Sequence, residues 1–231
     1  MIFIPVGSLE VHGNLPYGTD ALISRACAQR MAQNTDSFIF PAIYTGVCPN
    51  TQNFTATIGI DPVSFISYLE KVTLSVLNTF RKAVFINIHN GNDAAIRTVV
   101  EQLYLSHSKT VLYVNPYTCL KERDPFLGED NNIKEASLLF ASLEILGLDP
   151  TPYRVEKDAI EEKDRDIAAL KEYGYFGYSY FLEGQHISPV AGIDLIKGRH
   201  YLDLIGESAK EMIRCFEIVL EKQEQEKEYQ R

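Results

Sequence analysis

Short apolar runs alternate along this chain with longer segments in which apolar residues recur every three or four positions. Runs of strand length lie at residues 2–6, 37–40, 83–88 and 110–115. Each of the first three is followed by apolar residues at helical spacing, at residues 19–31, 62–80 and 93–103. Strands that alternate with helices are typical of a parallel sheet covered by helices. The pattern therefore predicts an α/β protein with a mainly parallel sheet.

Local signals place several element ends. Asp61 and Pro62 combine a helix N-cap with proline at the first helical position. A later helix is expected from about Lys134 to Gly147, where glycine can adopt the left-handed terminating conformation. The segment that precedes this helix, from Pro116 to Asn132, is rich in proline, glycine and charged residues and is expected to be a loop.

The end of the chain is charged. Residues 160–172 are expected to form a surface helix, and a last helix is expected from about Gly198. It continues into a charged helical tail over about residues 216–231. Neither an internal repeat nor a convincing linker is visible, so residues 1–231 are interpreted as a single domain.

Composition narrows the class of protein and of partner. The 231 residues are 45% hydrophobic and 23% charged, which is enough to bury a core. A formal charge of -9 argues against nucleic acid or an anionic membrane as a partner. No apolar run is long enough to span a bilayer, and no signal peptide is recognised. We therefore expect a cytoplasmic protein with four reduced cysteines: Cys27, Cys48, Cys119 and Cys215.

Two polar loops follow predicted strands. Glu10, His12 and Asp20 come after the first strand, and His89 comes directly after the run at residues 83–88. Because the carboxyl ends of parallel strands lie at one edge of the sheet, these side chains are expected to meet there. Two carboxylates and two imidazoles suit Zn²⁺, Mn²⁺ or Fe²⁺, and Asp20 could bridge two ions.

A structural role for the same residues has to be weighed. A Glu-x-His pair occurs in many loops, and a single histidine after a strand often packs or caps. The combination raises the probability of a metal site, but the residues alone leave both interpretations open. The chain contains no G-x-G-x-x-G, no P-loop motif and no G-x-S-x-G, so nucleotide-binding and serine-hydrolase functions have no support.

Residues 4–13, IPVGSLEVHG, and residues 15–20, LPYGTD, resemble the opening signature of the creatininase family. Residues 87–92, NIHNGN, resemble the N-G-H-G-G-N segment of the same family. Looser matches follow in the family's order: FTATI at 54–58, EASL at 135–138, SPVA at 188–191 and KG at 197–198. The first motif is specific, whereas the later ones are individually weak.

The resemblance implies a three-layer αβα sandwich, assembled as a homo-oligomer, in this family a hexamer. It also implies one or two divalent transition-metal ions, Zn, Fe or Mn. Glu10 and His89 would hold one ion and His12 the other, with Asp20 as the bridge. Metal-activated water would then cleave a non-peptide C–N bond, in an amide, cyclic amide or formamide of a small molecule. One branch of the family deformylates an archaeal pyrimidine intermediate, and nothing in this chain singles out that substrate.

Departures from the family pattern affect the expected chemistry. The HGNLP segment is one residue shorter than the usual H-G-P-H-L-P and lacks its second histidine. Gly91 stands where creatininase itself has a metal-binding glutamate, so the second ion would have fewer ligands and creatinine is not the expected substrate.

Two acidic residues are the predicted catalytic groups. Asp130 stands where the family has a histidine, a proton carrier, and would need a raised pKa to act as an acid. Glu135 matches the family glutamate and could orient or deprotonate the attacking water. His186 could also reach the site. The alternative function is a non-catalytic scaffold or binding protein with a degenerate metal site.

Overall fold

The computed structural model describes residues 1–13, 15–153, 170, 172–174 and 192–229. Within these ranges, the sheet has four parallel strands in the order β2-β1-β3-β4. The strands are β1 (Ile2–Val6), β2 (Phe38–Ile39), β3 (Ala83–Asn87) and β4 (Leu112–Val114). All their pairings are parallel, as the alternation of strands and helices predicts.

Among the described residues, six helices lie around this sheet. They are α1 (Thr19–Thr35), α2 (Pro62–Leu77), α3 (Asp93–His107), α4 (Pro116–Cys119), α5 (Asn131–Ile145) and α6 (Leu195–Tyr229). Helices α1, α5 and α6 pack together against one face, and α2 and α3 pack against the other. The three-layer αβα architecture is confirmed.

Side-chain alternation on the two central strands divides the core. Phe3 and Ile86 point into the cluster formed with α1, α5 and α6. Ile4 and Phe85 point into the opposite cluster, formed with α2 and α3. Every residue of β1 and β3 is buried, which is why these strands appear in the sequence as unbroken apolar runs.

The structure confirms two helix ends that the sequence predicted. The Asp61 carboxylate accepts a hydrogen bond from the backbone N–H of Ser64 at 3.0 Å and caps α2. Gly147 adopts a positive φ of 68° just after α5. There the N–H of Leu148 donates back to the carbonyl of Leu143 at 2.8 Å, which ends the helix.

Several element limits differ from the predictions. Strand β2 has two residues, not four, and Phe38 is 64% exposed because β2 lies at an edge of the sheet. The expectation of a plain loop from Pro116 to Asn132 is wrong. Asn115 caps the short helix α4, and Asp130 caps α5 by accepting from the N–H of Asn132. Asparagine and aspartate are frequent both in loops and at helix N-caps, so the composition of this segment did not distinguish the two.

Some predictions fall where the structure gives no description. The SPVA segment, His186 and most of the helix expected at residues 160–172 lie outside the described residues. The last helix begins at Leu195, slightly before Gly198, and includes the charged tail as far as Tyr229. Within the described part of the chain, no helix combines the length and apolar character that a bilayer span requires.

The contact between the end of β1 and α1 depends on Gly7. A Cβ at this residue would lie 2.3 Å from the backbone nitrogen of Ala21, which cannot move independently of its helix. We expect Gly7→Ala to lower the free energy of unfolding by about 1–3 kcal/mol, measured by urea denaturation. Gly59→Ala is the control, because its nearest neighbour would lie 3.5 Å away, at ordinary van der Waals distance. Equal stability of the two variants would contradict the prediction.

Candidate metal centre

The paired strands β1 and β3 bring the two predicted loops together. Val6 at the end of β1 pairs with Asn87 at the end of β3, so residues 7–13 and His89 leave the sheet side by side. Asp20 lies in the first turn of α1, where the helix dipole stabilises a negative charge. The four predicted ligands, Glu10, His12, Asp20 and His89, are only 2–7% exposed.

The four side chains point at one another. His89 Nδ1 lies 2.7 Å from Asp20 Oδ2 and 3.3 Å from Glu10 Oε1. His12 Nε2 lies 3.6 Å from Asp20 Oδ1 and 3.9 Å from Glu10 Oε1. Asp20 thus presents one oxygen to each imidazole, which is the arrangement expected of a bridging carboxylate.

Backbone carbonyl groups fix the orientation of both rings. His12 Nδ1 donates a hydrogen bond to the carbonyl of Glu10 at 3.0 Å. His89 Nε2 donates to the carbonyl of Val47 at 2.9 Å. A carbonyl can only accept, so these ring nitrogens carry hydrogen and the opposite nitrogens, His12 Nε2 and His89 Nδ1, face the carboxylates. Metal-binding histidines are oriented in the same way.

Two hydroxyl groups hold the carboxylates. Ser8 Oγ donates to Asp20 Oδ2 at 2.8 Å, and Thr51 Oγ1 donates to Glu10 Oε2 at 2.6 Å. Such outer hydrogen bonds restrict carboxylate rotation and leave other lone pairs available for a cation.

Protons and charges are strongly coupled in this cluster. Burial alone would raise the pKa of Asp20, but His12 and His89 hold it well below its usual value. Burial alone would lower the pKa of His12, but Asp20, Glu135 and Glu10 raise it to about 10. The pKa of His89 is also raised well above normal, against the effect of burial, mainly by Asp20. The acidic cluster therefore needs positive charge, and its nitrogen and oxygen donors fit a divalent transition-metal ion.

Gly91 allows the chain to pass close to His89. A Cβ at residue 91 would lie 2.1 Å from the carbonyl oxygen of Val47 and 2.5 Å from His89 Nε2. The Asn92 side chain also links the neighbouring segments. Its amide nitrogen donates to the Gly7 carbonyl, and its amide oxygen accepts from the Val47 N–H, both at 2.8 Å. This backbone has no room for a ligand side chain at residue 91.

A cavity of about 150 Å³ opens beside the four side chains, with Glu135 and Tyr117 in its lining. Glu135 Oε1 lies 3.9 Å from His12 Nε2. Burial raises the pKa of Glu135 to about 7, despite the opposing influence of His12. Glu135 can therefore exchange a proton near neutral pH.

The structure does not bring Asp130 into this group. Its side chain is exposed and its carboxylate is engaged as the N-cap of α5, and it is not part of the cavity lining. Asp130, which the motif resemblance places at the family histidine, thus caps the helix that carries Glu135.

Three neighbours of the site were not predicted from the sequence: Cys48, Thr51 and Tyr117. Cys48 forms a set of possible ligands with Glu10 and His89, in which the three ligand atoms lie within 4.8 Å of one another. Glu10, His12 and Asp20 form a second set. Residues 48–51 belong to no strand or helix, and no motif we recognised marked them.

Comparison with known proteins identifies the family of this chain. The sequence model of the creatininase family, described as creatinine amidohydrolase, matches residues 1–142. The chain belongs to the creatininase family. Curated relatives include mycofactocin precursor peptide peptidases from Mycolicibacterium smegmatis, 29% identical over 110 residues, and Mycobacterium ulcerans, 35% identical over 112 residues. The match to the Mycolicibacterium smegmatis protein covers 45% of this chain and 44% of that relative. The match to the Mycobacterium ulcerans protein covers 44% of this chain and 45% of that relative, so the chain spans less than half the length of either.

Solved structures agree with the family assignment. A creatinine amidohydrolase (creatininase) superposes with a TM-score of 0.66 at 19% identity, covering 93% of this chain and 90% of that one. A manganese form of creatininase gives 0.66 at 18% identity, with the same coverage, 93% and 90%. A mutant creatininase of the Zn-Zn type gives 0.65 at 17% identity, over 93% and 89%. At these identities the similarity establishes the fold.

The Thr51 hydroxyl gives a direct test of the outer hydrogen bonds. We expect Thr51→Val to weaken Zn²⁺ binding about 10- to 100-fold, because Glu10 loses the donor that orients it. Isothermal titration calorimetry on metal-free protein measures the change. Thr73→Val is a matched control, since Thr73 is buried in α2 and its hydroxyl has no partner among the described residues. Wild-type affinity in Thr51→Val would argue against this role.

The raised histidine pKa values predict how Zn²⁺ binding depends on pH. With a pKa of about 10, His12 is protonated at neutral pH in the metal-free chain, and a metal ion must displace that proton. Affinity should therefore rise with pH, by up to about tenfold per pH unit for each proton released. Calorimetry in buffers of different ionisation enthalpy counts the protons. A pH-independent affinity without proton release would disprove the prediction.

Proposed function

We propose that this chain is a metal-dependent amidohydrolase in which an activated water attacks the carbonyl carbon of a C–N bond. The observation that carries the proposal is the convergence of Glu10, His12, Asp20 and His89, with the two ring nitrogens that face the carboxylates suited to bind a cation. A purely structural cluster gains little from burying two carboxylates against two imidazoles, since desolvation offsets most of the attraction.

Glu10, His89 and Asp20 would hold one ion, and Asp20 and His12 would contact a second. A bound divalent ion supplies a Lewis acid and a water of lowered pKa at the cavity. Gly91 leaves the second position with fewer protein ligands, so a single ion is also compatible with the proposal.

Glu135 is the proposed proton carrier. It lies beside His12 at the cavity but outside the four predicted ligands, and in the metal-free protein burial raises its pKa to about 7, which makes both protonation states accessible. In this role it accepts a proton as water attacks the carbonyl and returns it to the leaving nitrogen. Because water is the nucleophile, hydrolysis by this route needs no nucleophilic side chain on the protein.

The substrate class has two candidates. A small amide, cyclic amide or formamide is our first proposal, in line with the creatinine amidohydrolase description of the matching family model. A peptide bond is the second, because the curated relatives are named as peptidases of a precursor peptide. Both reactions break a carbonyl–nitrogen bond and place the same demands on Glu135.

Metal analysis and turnover test the proposal together. We expect one or two transition-metal ions per chain in protein purified without chelators, and loss of both metal and turnover in Asp20→Ala. Glu135→Gln should keep its metal and lose about 10²- to 10⁴-fold in kcat, because only proton transfer is removed. The substrate panel contains formamides, cyclic amides, creatinine and short peptides.

The outcomes separate the alternatives. Hydrolysis of formamides or cyclic amides supports the first substrate class, and hydrolysis of peptides alone supports the second. Folded protein that binds no Zn²⁺, Mn²⁺ or Fe²⁺ would favour the non-catalytic scaffold. Full turnover in Asp20→Ala would reject the metal-dependent mechanism.

A further inference from the structure

The hydroxyl group of Tyr117 is buried without a hydrogen-bond partner among the described residues. Tyr117 follows β4 in the first turn of α4, and it lines the same cavity as Asp20 and Glu135. Buried phenol groups nearly always have a partner, because an unsatisfied hydroxyl costs free energy. An unsatisfied group beside a reaction cavity therefore points to a partner that arrives with the ligand.

Contacts with its neighbours hold the Tyr117 ring. The Lys134 ammonium lies 4.8 Å from the centroid of the Tyr117 ring and 4.8 Å from that of Tyr201. Lys134 is itself buried and pairs with Asp124 at 2.5 Å. The Tyr201 hydroxyl donates to the Pro116 carbonyl at 2.6 Å, which fixes the backbone just before Tyr117. The phenol is thus pre-oriented by contacts that do not involve its own hydroxyl group.

The chemistry of the cavity favours a donor role for this hydroxyl. A tyrosine phenol has an ordinary pKa of about 10 and therefore keeps its proton at neutral pH. A neutral phenol donates most readily to an oxygen that carries negative charge. In the hydrolysis of an amide, the carbonyl oxygen gains such charge as water adds to the carbon.

We infer that the Tyr117 hydroxyl donates a hydrogen bond to the carbonyl oxygen of the scissile amide. The inference rests on the proposed amidohydrolase function and adds the residue that recognises the substrate carbonyl. Lys134 acts as a positioning residue through its contact with the ring. Because the hydroxyl has no protein partner to give up, its hydrogen bond to the substrate is formed without breaking another one in the described protein.

Acetohydroxamate is a suitable probe, since it carries an amide-like carbonyl and is small. Its affinity for the Zn²⁺-loaded wild type is compared with that for Tyr117→Phe, after metal content has been measured in both. We expect equal metal content and an affinity about tenfold lower in Tyr117→Phe. The near-ultraviolet difference spectrum on binding should show a tyrosine signal that is absent from Tyr117→Phe. Tyr104→Phe, which removes a half-exposed phenol on α3, should behave as wild type.

Thermal unfolding of the metal-free proteins separates this role from a structural one. Removing an unpartnered buried hydroxyl should leave the Tm of Tyr117→Phe equal to or above that of the wild type. A lower Tm, or equal probe affinity in the two proteins, overturns the inference. Metal-loaded wild type that does not bind the probe also overturns it. A wild type that takes up no metal refutes the proposed function itself, and this is seen before any probe is added.

Discussion

Strands β1 and β3 pair side by side over five residues, and this pairing decides where the polar loops lie. Both strands are buried on both faces, so a slip of one residue would turn every side chain to the opposite core cluster. The register is therefore well determined by packing. Because Val6 lies beside Asn87, the loops that carry Glu10 and His89 leave the same edge of the sheet.

The cluster at that edge is a concentration of buried charge that the fold has to support. Asp20 benefits from the N-terminus of α1, and Ser8 and Thr51 add hydroxyl donors to the carboxylates. The imidazoles compensate charge in the metal-free chain by holding protons. Such an arrangement contributes little to stability by itself, since desolvation offsets its attraction. Its value lies in the cation and the substrate that we propose for it.

Residues 46–51 form a further wall of the site, and sequence motifs gave no indication of it. Val47 accepts from His89, and Thr51 donates to Glu10, although neither residue lies in a helix or strand. Gly91 permits this contact, because any side chain there would meet the Val47 carbonyl. The glycine interpreted as a lost ligand is thus also a packing requirement. Long-range contacts of irregular segments leave no periodic signal in the sequence.

From the amino-acid pattern alone, the α/β class, most helix positions and the meeting of Glu10, His12, Asp20 and His89 could be predicted. These depend on local periodicity and on strand ends that share one edge of the sheet. The pattern could not distinguish the role of Asp130 from that of Glu135. Tertiary packing turns Glu135 into the cavity, while Asp130 caps its helix at the surface. Nor could the sequence reveal the role of Tyr117. Its ring is held by Lys134, and the backbone before it is held by Tyr201, and both residues lie well beyond Tyr117 in the sequence. Orientation and burial arise from such distant contacts, and only the folded structure decides them.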